Sequence, residues 1–383
     1  MSLNSSVRSA KNSKKLDSVP YPISLSSVPS YPAIKEPFDT LPNFINRDNR
    51  SELTKRSLTH WFKPPYPRQP QPKLSQGIDS SYGTSHCHPN ILSLIGNTPL
   101  VKLRNIVPNP NVTVYAKMES HNPAGSVKDR PALNMILQAR QRKILNPQTT
   151  LIEPTSGNTG VGLALVASVL GYPLELVMPE NATSERSKIM KAFGAKVTLT
   201  PATHEMEGAI DYAHEKVNRL SNQYVMLNQF ANPDNYLAHY LSTAPEIWYQ
   251  SHNSITHFVS AMGTTGTIMG VSKFFNKHQL DVEIIGVSPT EGSSIPGIRR
   301  WPKAYLPKIF NETAVDKTCD VSIMQATTMA RRLALEEGIF CGTSAGGAAH
   351  IAIEIASKIE SGVIVFIVCD RGDRYLSTDL FTY

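Results

Sequence analysis

Apolar and polar positions follow two periods along the chain from about residue 91 onward. Short apolar runs, such as Leu174-Glu175-Leu176-Val177-Met178, have the length of buried strands, and longer segments with helical spacing separate them. The pattern predicts strands at 113–116, 151–152, 174–178, 196–200, 224–227, 255–260, 282–287 and 363–369, and helices at 129–142, 159–170, 183–193, 206–220, 236–249, 267–277, 322–336 and 345–358. Alternation of this kind predicts an α/β fold with parallel sheets covered by helices on both faces.

Residues 1–88 differ from the rest in composition, because they hold 16 Ser and 11 of the 28 Pro. Such a segment cannot bury enough apolar surface to offset the entropy lost on ordering, so we predict a disordered extension at 1–88 before a folded region at 89–383. The first sixteen residues are basic, Ser-rich and free of Asp and Glu. They faintly resemble an organelle transit peptide, although an ordinary extension in a cytoplasmic protein is the interpretation we favour.

The net charge of +7 comes mainly from this extension, where 12 Lys/Arg stand against 6 Asp/Glu. The remaining 26 basic and 25 acidic residues nearly cancel, so no nucleic-acid partner is expected. No apolar run approaches the length of a membrane span. The four cysteines lack a Cys-x-x-Cys spacing, and the adjacent residues His86-Cys87-His88 would rarely converge on one ion, so no metal site or disulfide framework is predicted.

Polar turns rich in Gly, Ser and Thr follow several of the apolar runs. Thr155-Ser156-Gly157-Asn158-Thr159-Gly160 precedes a helix and offers hydroxyls and backbone N–H groups to a carboxylate or phosphate. Gly263-Thr264-Thr265-Gly266-Thr267 suits a phosphate but lacks the spacing of a P-loop. Similar turns occupy 341–347 and 369–374. Ligands bind beyond the carboxyl ends of parallel strands, although each turn alone is more typical of a simple connector.

Lys128 lies where the segment 122–130 turns into a helix. Gly125 permits unusual torsions there, and Ser126 can cap the helix. A cation is unfavourable at this end of a helix. The position of Lys128 would be explained if burial and nearby positive potential lowered the pKa of its amine and produced a nucleophile. The stretch alone is equally compatible with a solvated lysine.

Together these motifs resemble those of fold-type II pyridoxal-phosphate enzymes, specifically the cysteine synthase B (O-acetylserine sulfhydrylase B) class. The likeness runs from about Leu92 to Phe381. The matched segments keep one order: 95–101, 122–130, 155–160, 228–230, 262–270, 293–301, 338–342 and 369–378. The resemblance implies a tryptophan synthase β-like fold with a smaller mobile subdomain at about 127–232 and a larger one from 89–126 and 233–383.

The resemblance also implies pyridoxal 5′-phosphate as the cofactor and assigns roles to single residues. Lys128 would bind the cofactor covalently and move the substrate α-proton, Asn158 would hydrogen-bond the ring hydroxyl, and Ser344 would face the ring nitrogen. The cofactor phosphate would lie against Gly263, Thr264, Thr265, Gly266 and Thr267. The substrate carboxylate would be held by Thr155, Ser156, Thr159 and Gln229. Arg299, Cys369 and Asp370 match positions of a polar pocket that accepts thiosulfate in this class.

The implied reaction replaces the acetate of O-acetyl-L-serine by sulfide or thiosulfate through an α-aminoacrylate intermediate, giving L-cysteine or S-sulfocysteine. A serine opposite the ring nitrogen favours such chemistry, because it does not stabilise a protonated ring and a long-lived carbanion. The class also implies a homodimer that acts on small molecules. The alternatives are cystathionine β-synthase or serine/threonine dehydratase activity on the same scaffold, and a non-catalytic scaffold protein.

Two positions depart from the pattern of this class. Pro131 stands where an ordinary helix former is usual, which raises the question of whether the first helical turn is displaced. Thr343-Ser344-Ala345 stands where two serines are commoner. Neither change removes a chemical group that the implied reaction needs.

Overall fold

The computed structural model describes residues 88–155, 157–181 and 184–382. These residues belong to one compact unit, Thr84–Tyr383. Apart from His88, the extension predicted at 1–88 lies outside the described residues. The strands of the described part are β1 (Leu100–Lys102), β2 (Val112–Lys117), β3 (Thr150–Pro154), β4 (Leu174–Pro179), β5 (Lys196–Thr200), β6 (Tyr224–Met226), β7 (His257–Ala261), β8 (Glu283–Pro289), β9 (Lys317–Val321) and β10 (Gly362–Ile367).

The α-helices alternate with these strands along most of the chain. They are α1 (Asp129–Gln141), α2 (Asn158–Leu170), α3 (Ser184–Ala192), α4 (Glu205–Arg219), α5 (Pro233–Ala238), α6 (Ala244–Gln250), α7 (Gly266–Lys277), α8 (Ile323–Glu337) and α9 (Thr343–Ala356). A π-helical turn, His239–Thr243, joins α5 to α6. No helix in the described part is both long enough and apolar enough to cross a membrane.

The strands form two sheets. The larger has the order β1-β2-β10-β7-β8-β9, and the smaller has the order β5-β4-β3-β6. The neighbouring strands pair in parallel, except that β1 lies antiparallel to β2, with Leu100 opposite Lys117. This arrangement confirms the predicted α/β class. The strands of the smaller sheet fall between Thr150 and Met226, while the subdomain limits stay a prediction.

Helices cover both faces of each sheet. On the larger sheet, α8 and α9 pack over one face and α6 and α7 over the other. On the smaller sheet, α1, α2 and α3 share a cluster on one face, and α4 packs on the opposite face. Because both faces are covered, Leu174–Pro179 is buried at every position. Strands of this kind read as continuous apolar runs, which is why the sequence predicts β4 well.

Three elements differ from the sequence prediction. The single helix expected at 236–249 begins at Pro233, where Asn232 caps the N–H of Asp234, and it contains the π-helical turn. The edge strands β1 and β9 were not predicted, because β1 has only three residues and β9 is mostly exposed. Neither offers a buried apolar run to detect.

Candidate active site

Lys128 immediately precedes α1 and is fixed against the end of β10. The N–H of Val127 donates to the carbonyl of Cys369 at 2.8 Å, and Ser126 pairs with Asp370 in an isolated antiparallel bridge. Gly125 makes the preceding turn with a φ of +80°, as the sequence predicts. Ser126 Oγ accepts the N–H of Lys128 at 3.2 Å, one residue before the helix starts, rather than an N–H of the helix itself.

The pKa of the Lys128 amine is lowered, and burial is the cause. The neighbouring Cys369, Asp370 and Glu119 act in the opposite direction and raise it. The sequence interpretation invoked burial and positive potential together, and of these two causes the structure supports burial. A lysine with a lowered pKa has a larger neutral fraction, which a nucleophile or a base requires.

Pro131 does not displace the first turn of α1. The helix begins at Asp129, so Pro131 is its third residue. The first four N–H groups of a helix have no partner within it, and a proline there removes nothing the helix uses. The carboxylate of Asp129 instead accepts the N–H of Ala124 at 2.6 Å and braces the turn before Lys128. Burial raises the pKa of Asp129 to about 7, although that N–H and Arg374 lower it.

The turn after β3 and the residue Gln229 form one polar cluster. Thr159 Oγ1 donates to Gln229 Oε1 at 2.7 Å, and Gln229 Nε2 donates to the carbonyl of Pro154 at 3.2 Å. Thr155 Oγ1 accepts the N–H of Gly157 at 3.3 Å. Ser156 lies outside the described residues. Three of the four residues assigned to the substrate carboxylate therefore lie together at the carboxyl end of β3.

Glu153, which the sequence analysis did not identify, positions Gln229. Its two carboxylate oxygens accept the N–H groups of Asn228 at 2.9 Å and Gln229 at 2.8 Å. Burial raises the pKa of Glu153 to about 7, even though these N–H groups lower it. A glutamate within a short apolar run carries no sequence signal for this supporting role.

Asn158 lies at the start of α2 and contacts the turn after β10. Its Nδ2 donates to Asp370 Oδ2 at 2.6 Å, and Arg374 donates to its Oδ1. The hydroxyl of Tyr375 also donates to Asp370 Oδ2, at 2.8 Å. Asp370 Oδ1 is buried without a hydrogen-bond partner among the described residues. The sequence analysis assigned no role to Arg374 or Tyr375. The contact of Arg374 with Asn158 joins residues 216 positions apart, which a sequence pattern does not reveal.

The segment Gly263–Thr267, called here the phosphate turn, comprises the turn after β7 and the first two residues of α7. Thr265, the last residue before the helix, has a φ of +68°. Gly266 cannot carry a side chain, because a Cβ would lie 2.1 Å from Asn235 Oδ1. The indole Nε1 of Trp301 donates to the carbonyl of Gly263 at 2.7 Å. The carbonyl of Gly263 thus has a partner, and the N–H of Gly266 donates to Thr264 Oγ1 at 3.5 Å. The buried hydroxyl of Thr265 has no hydrogen-bond partner among the described residues, so it is available for an anion at this helix start.

A continuous set of contacts joins Lys128 to the phosphate turn through Cys369 and Ser344. Burial raises the pKa of Cys369 to about 11, while the Lys128 amine and a hydrogen bond with Ser344 lower it. A Cβ on Gly297 would lie 3.2 Å from Ser344 Oγ, and a Cβ on Gly263 would lie 2.9 Å from the carbonyl oxygen of Gly297. Neighbouring residues therefore link Cys369, which follows β10, through Ser344 and Gly297 to the phosphate turn.

His239 is another buried residue in contact with the phosphate turn. Burial is the main cause of its lowered pKa, and the charge of Lys128 lowers that pKa further. His239 Nε2 in turn contacts Thr267 Oγ1 at 3.3 Å.

Arg299 is the last of the predicted site residues. The guanidinium of Arg299 lies 5.1 Å from the ring centroid of Trp301, and the backbone N–H of Arg299 donates to the carbonyl of Met262 at 2.9 Å. Its side chain is thus beside the phosphate turn rather than against Cys369 and Asp370. Cys341 is buried, and burial raises the pKa of its thiol, so this cysteine packs as a small apolar residue. Cys87 lies outside the described residues, among which no group of three or more His, Cys, Asp or Glu could hold a metal ion.

Comparisons with known proteins agree with this geometry. The sequence model described as "Pyridoxal-phosphate dependent enzyme" matches residues 91–370. Cysteine synthase B of Pseudomonas aeruginosa is 52% identical over 294 residues, covering 77% of this chain and 98% of the relative. Cysteine synthase B of Escherichia coli is 53% identical over 287 residues, covering 75% and 94%. The crystal structure of O-acetylserine sulfhydrylase isoform 3 from Entamoeba histolytica superimposes with a TM-score of 0.74 at 38% identity, covering 80% of this chain and 95% of that one. The chain therefore belongs to the pyridoxal-phosphate dependent enzymes, within the group of the cysteine synthases.

Proposed function

We propose that the protein is a cysteine synthase that replaces the acetate of O-acetyl-L-serine by a sulfur nucleophile. One observation carries the proposal: the segment of Lys128 is hydrogen-bonded to Cys369, and Ser344 and Gly297 link Cys369 to the phosphate turn. The turn after β3 reaches the same segment through the hydrogen bond between Asn158 and Asp370. The names of the curated relatives support the same activity.

The residues fit pyridoxal 5′-phosphate. Thr265 Oγ1 is buried at the phosphate turn without a hydrogen-bond partner among the described residues, and a phosphate oxygen would accept its proton. Asn235 and Gly297 pack against Gly266 and Gly263 so closely that neither position could carry a side chain, which fixes the backbone of the turn. When bound, the cofactor supplies the electron sink that lets an amino acid lose its α-proton.

We assign the following tasks to the chain itself. Lys128 binds the cofactor and moves the α-proton, because burial keeps a larger part of its amine neutral. Thr155, Ser156, Thr159 and Gln229 hold the substrate carboxylate, with Glu153 fixing the backbone of Gln229. Ser344 faces the ring nitrogen as a neutral hydroxyl. Asn158 orients the ring hydroxyl, held in place by Asp370 and Arg374.

The sulfur donor is sulfide or thiosulfate. The raised pKa of the Cys369 thiol, caused by burial, keeps this group uncharged near neutral pH, so it would not repel an anionic donor. Arg299 could attract thiosulfate through its forked donors if its guanidinium left the ring of Trp301. Competition between the two donors over the purified enzyme, with L-cysteine and S-sulfocysteine quantified by mass spectrometry, decides which is preferred.

The activity is tested by comparing two substrate pairs in steady state. We expect O-acetyl-L-serine with sulfide to give L-cysteine at a higher kcat/KM than L-serine with homocysteine gives cystathionine. Faster turnover of the second pair would replace the assignment by cystathionine β-synthase activity. A purified protein without the visible absorbance of a bound cofactor would favour a non-catalytic scaffold.

We further propose a cytoplasmic homodimer, following the class that the sequence resembles. Sedimentation equilibrium of the full chain measures the mass directly. A single species at the mass of one chain across the micromolar range would contradict the dimer.

A further inference from the structure

The π-helical turn His239–Thr243 lies against the N-terminal half of α7, beside the phosphate turn. A π-helical insertion changes which side chains face a neighbouring helix, and such insertions are frequent at functional sites. Close contact here depends on Gly270, since a Cβ there would lie 2.2 Å from the carbonyl oxygen of Tyr236 and 2.7 Å from Cβ of His239. The absence of a side chain at Gly270 thus allows the π-helical turn to pack closely against α7.

Asn235 contacts the phosphate turn, and a single hydrogen-bond acceptor fixes the orientation of its side-chain amide. Its Nδ2 donates to the backbone carbonyl of Gln229 at 2.7 Å. Because a carbonyl oxygen can only accept, this contact determines which end of the amide carries the hydrogens. The same Nδ2 lies 3.2 Å from Thr264 Oγ1, which must therefore accept. The proton of the Thr264 hydroxyl is left for another acceptor.

His239 stands four residues after Asn235, on the same face of the helical segment. It is fully buried, and both ring nitrogens have a threonine hydroxyl as partner: Nδ1 contacts Thr243 Oγ1 at 2.9 Å, and Nε2 contacts Thr267 Oγ1 at 3.3 Å. A neutral imidazole has one N–H and one acceptor nitrogen. If Nε2 carries the proton, Thr243 donates to Nδ1, Nε2 donates to Thr267, and the Thr267 proton is free as well.

The geometry points to Asn235 and His239 as positioning residues for the cofactor phosphate: each donates to a threonine hydroxyl of the phosphate turn, so that the hydroxyl protons of Thr264 and Thr267 are directed at the phosphate oxygens. With Thr265, three hydroxyls would then donate to one anion. The inference rests on the placement of the phosphate proposed above, and it adds the requirement that these protons are oriented before the cofactor binds.

The charge state of His239 is consistent with this arrangement. Burial lowers the pKa of the imidazole well below its usual value, and Lys128 and Arg130 lower it further, while Glu246 opposes them. The side chain is therefore neutral and acts as a directional donor rather than as a counter-ion.

The test uses the full chain freed of cofactor and titrated separately with pyridoxal 5′-phosphate and with pyridoxal. Loss of one oriented hydrogen bond in His239→Leu should raise the Kd for pyridoxal 5′-phosphate about tenfold while the Kd for pyridoxal changes little. The ³¹P resonance of the bound cofactor should also move. His239→Gln, which keeps a donor near the position of Nε2, should restore most of the affinity. His278→Leu is the matched control, since His278 is exposed at the far end of α7.

Other variants separate the possible outcomes. Thr243→Val removes the partner of Nδ1 with little change in volume, and it should weaken the preference for the phosphorylated cofactor less than His239→Leu does. If His239→Leu does not fold, His239→Gln and Thr243→Val carry the test. Equal changes in both Kd values, or an unmoved ³¹P resonance, would indicate a merely structural histidine and overturn the inference.

Two further variants distinguish failure of the inference from failure of the phosphate placement. If Thr264→Val and Thr267→Val reduce the preference for pyridoxal 5′-phosphate while the His239 variants do not, only the positioning role fails. If the threonine variants also leave the preference unchanged, the phosphate does not lie at this turn. In ¹⁵N spectra of histidine-labelled protein, a proton on Nδ1 instead of Nε2 would likewise contradict the proposed chain of donors.

Discussion

Lys128 and Glu153 are ionisable residues whose pKa values are shifted toward the neutral form by burial. Lys128 belongs to a motif with a turn and a helix start, so the sequence identifies it. Glu153 belongs to a five-residue strand and accepts the backbone N–H of Gln229, a contact between residues 76 positions apart. Residues in direct contact with the substrate are therefore easier to identify from the sequence than residues that hold them in place.

Replacing Lys128 by alanine should abolish cysteine formation. The variant loses both the covalent attachment point and the base for the α-proton, and loss of a general base alone costs on the order of 10²–10⁴-fold in rate. Initial rates with O-acetyl-L-serine and sulfide measure the effect, with circular dichroism as a check on folding. Lys277→Ala is the control, because Lys277 is exposed in the last turn of α7. Substantial turnover by Lys128→Ala would refute the role.

The stability contributed by Glu153 should fall as the pH rises. Its pKa is about 7 in the native state against an ordinary value of 4.5, so the folded protein holds a proton that the unfolded chain has lost between these values. The measured quantity is the free energy of unfolding of the parent protein minus that of Glu153→Gln. This difference should decrease by about 3 kcal/mol from pH 4.5 to 7 and then level off. Urea unfolding at half-unit pH steps measures this difference.

Glu175 provides the matched control in the neighbouring strand β4. Burial alone would raise its pKa, but hydrogen bonds from Lys216, Thr198 and Lys196 lower it overall. The stability that the Glu175 carboxylate contributes is fully present above its ordinary pKa and is lost only as the pH falls below that value. The difference in free energy of unfolding between the parent protein and Glu175→Gln should therefore stay constant between pH 5.5 and 8. If the difference between the parent protein and Glu153→Gln is also independent of pH, Glu153 is ionised over the whole range.

At the level of elements, the sequence identifies the strand ends better than the helices that support them. The turns before α2 and α7 stand out because glycines and hydroxyl residues interrupt apolar runs. The helix before β7 was predicted without its π-helical turn, since no residue type specifies such an insertion. Asn235 and His239 consequently looked like ordinary helix residues, although their contacts with Thr264 and Thr267 depend on how that segment packs.

The start of α1 is held by a buried ion network that the sequence analysis did not predict. Arg130, two residues after Lys128, donates to both carboxylate oxygens of Glu119 and of Glu246, each at 2.7 Å. Lys117 of β2 adds a contact to Glu246 at 2.6 Å. The network ties α1 to β2 and α6, so it fixes the position from which Lys128 extends.

Removing Arg130 should destabilise the protein strongly, because two buried carboxylates would lose their main partner. We expect Arg130→Met to lower the free energy of unfolding by about 3–5 kcal/mol, measured by urea unfolding. Arg332→Met is the control: Arg332 pairs with Glu336 on the exposed surface of α8, and such solvent-screened pairs contribute little to stability. Similar losses in both variants would contradict a special role for the buried network. Arg130→Lys should recover only part of the loss, since an ammonium cannot bind both carboxylates in the same bidentate way.

At the scale of the whole molecule, the proposed site is assembled from both sheets. The smaller sheet supplies the turn after β3 and the residue Gln229, while the larger sheet supplies the ends of β7 and β10. Arg186 of α3 reaches across to the hydroxyl of Tyr375 at 3.1 Å. This convergence follows from the α/β pattern in the sequence, because the carboxyl ends of parallel strands meet at one edge. The side chains that join the sheets do not follow from it, since they pair residues about 190 positions apart.

Deleting residues 1–88 should leave the activity almost intact. Each proposed catalytic or binding residue lies between Lys128 and Asp370, and the pyridoxal-phosphate dependent enzyme family matches residues 91–370. We expect kcat/KM for cysteine formation to stay within about twofold of the full chain, as for removal of a terminus that contributes nothing to a site.

Deleting residues 1–98 is the informative comparison. The carbonyl of Thr98 accepts a hydrogen bond from the amine of Lys117 at 2.8 Å, and the hydroxyl of Thr98 donates to Glu119 at 2.7 Å. That longer deletion should lower the free energy of unfolding, since it removes partners of the buried ion network. Loss of folding or activity already in the shorter deletion would show that the extension contributes to the enzyme.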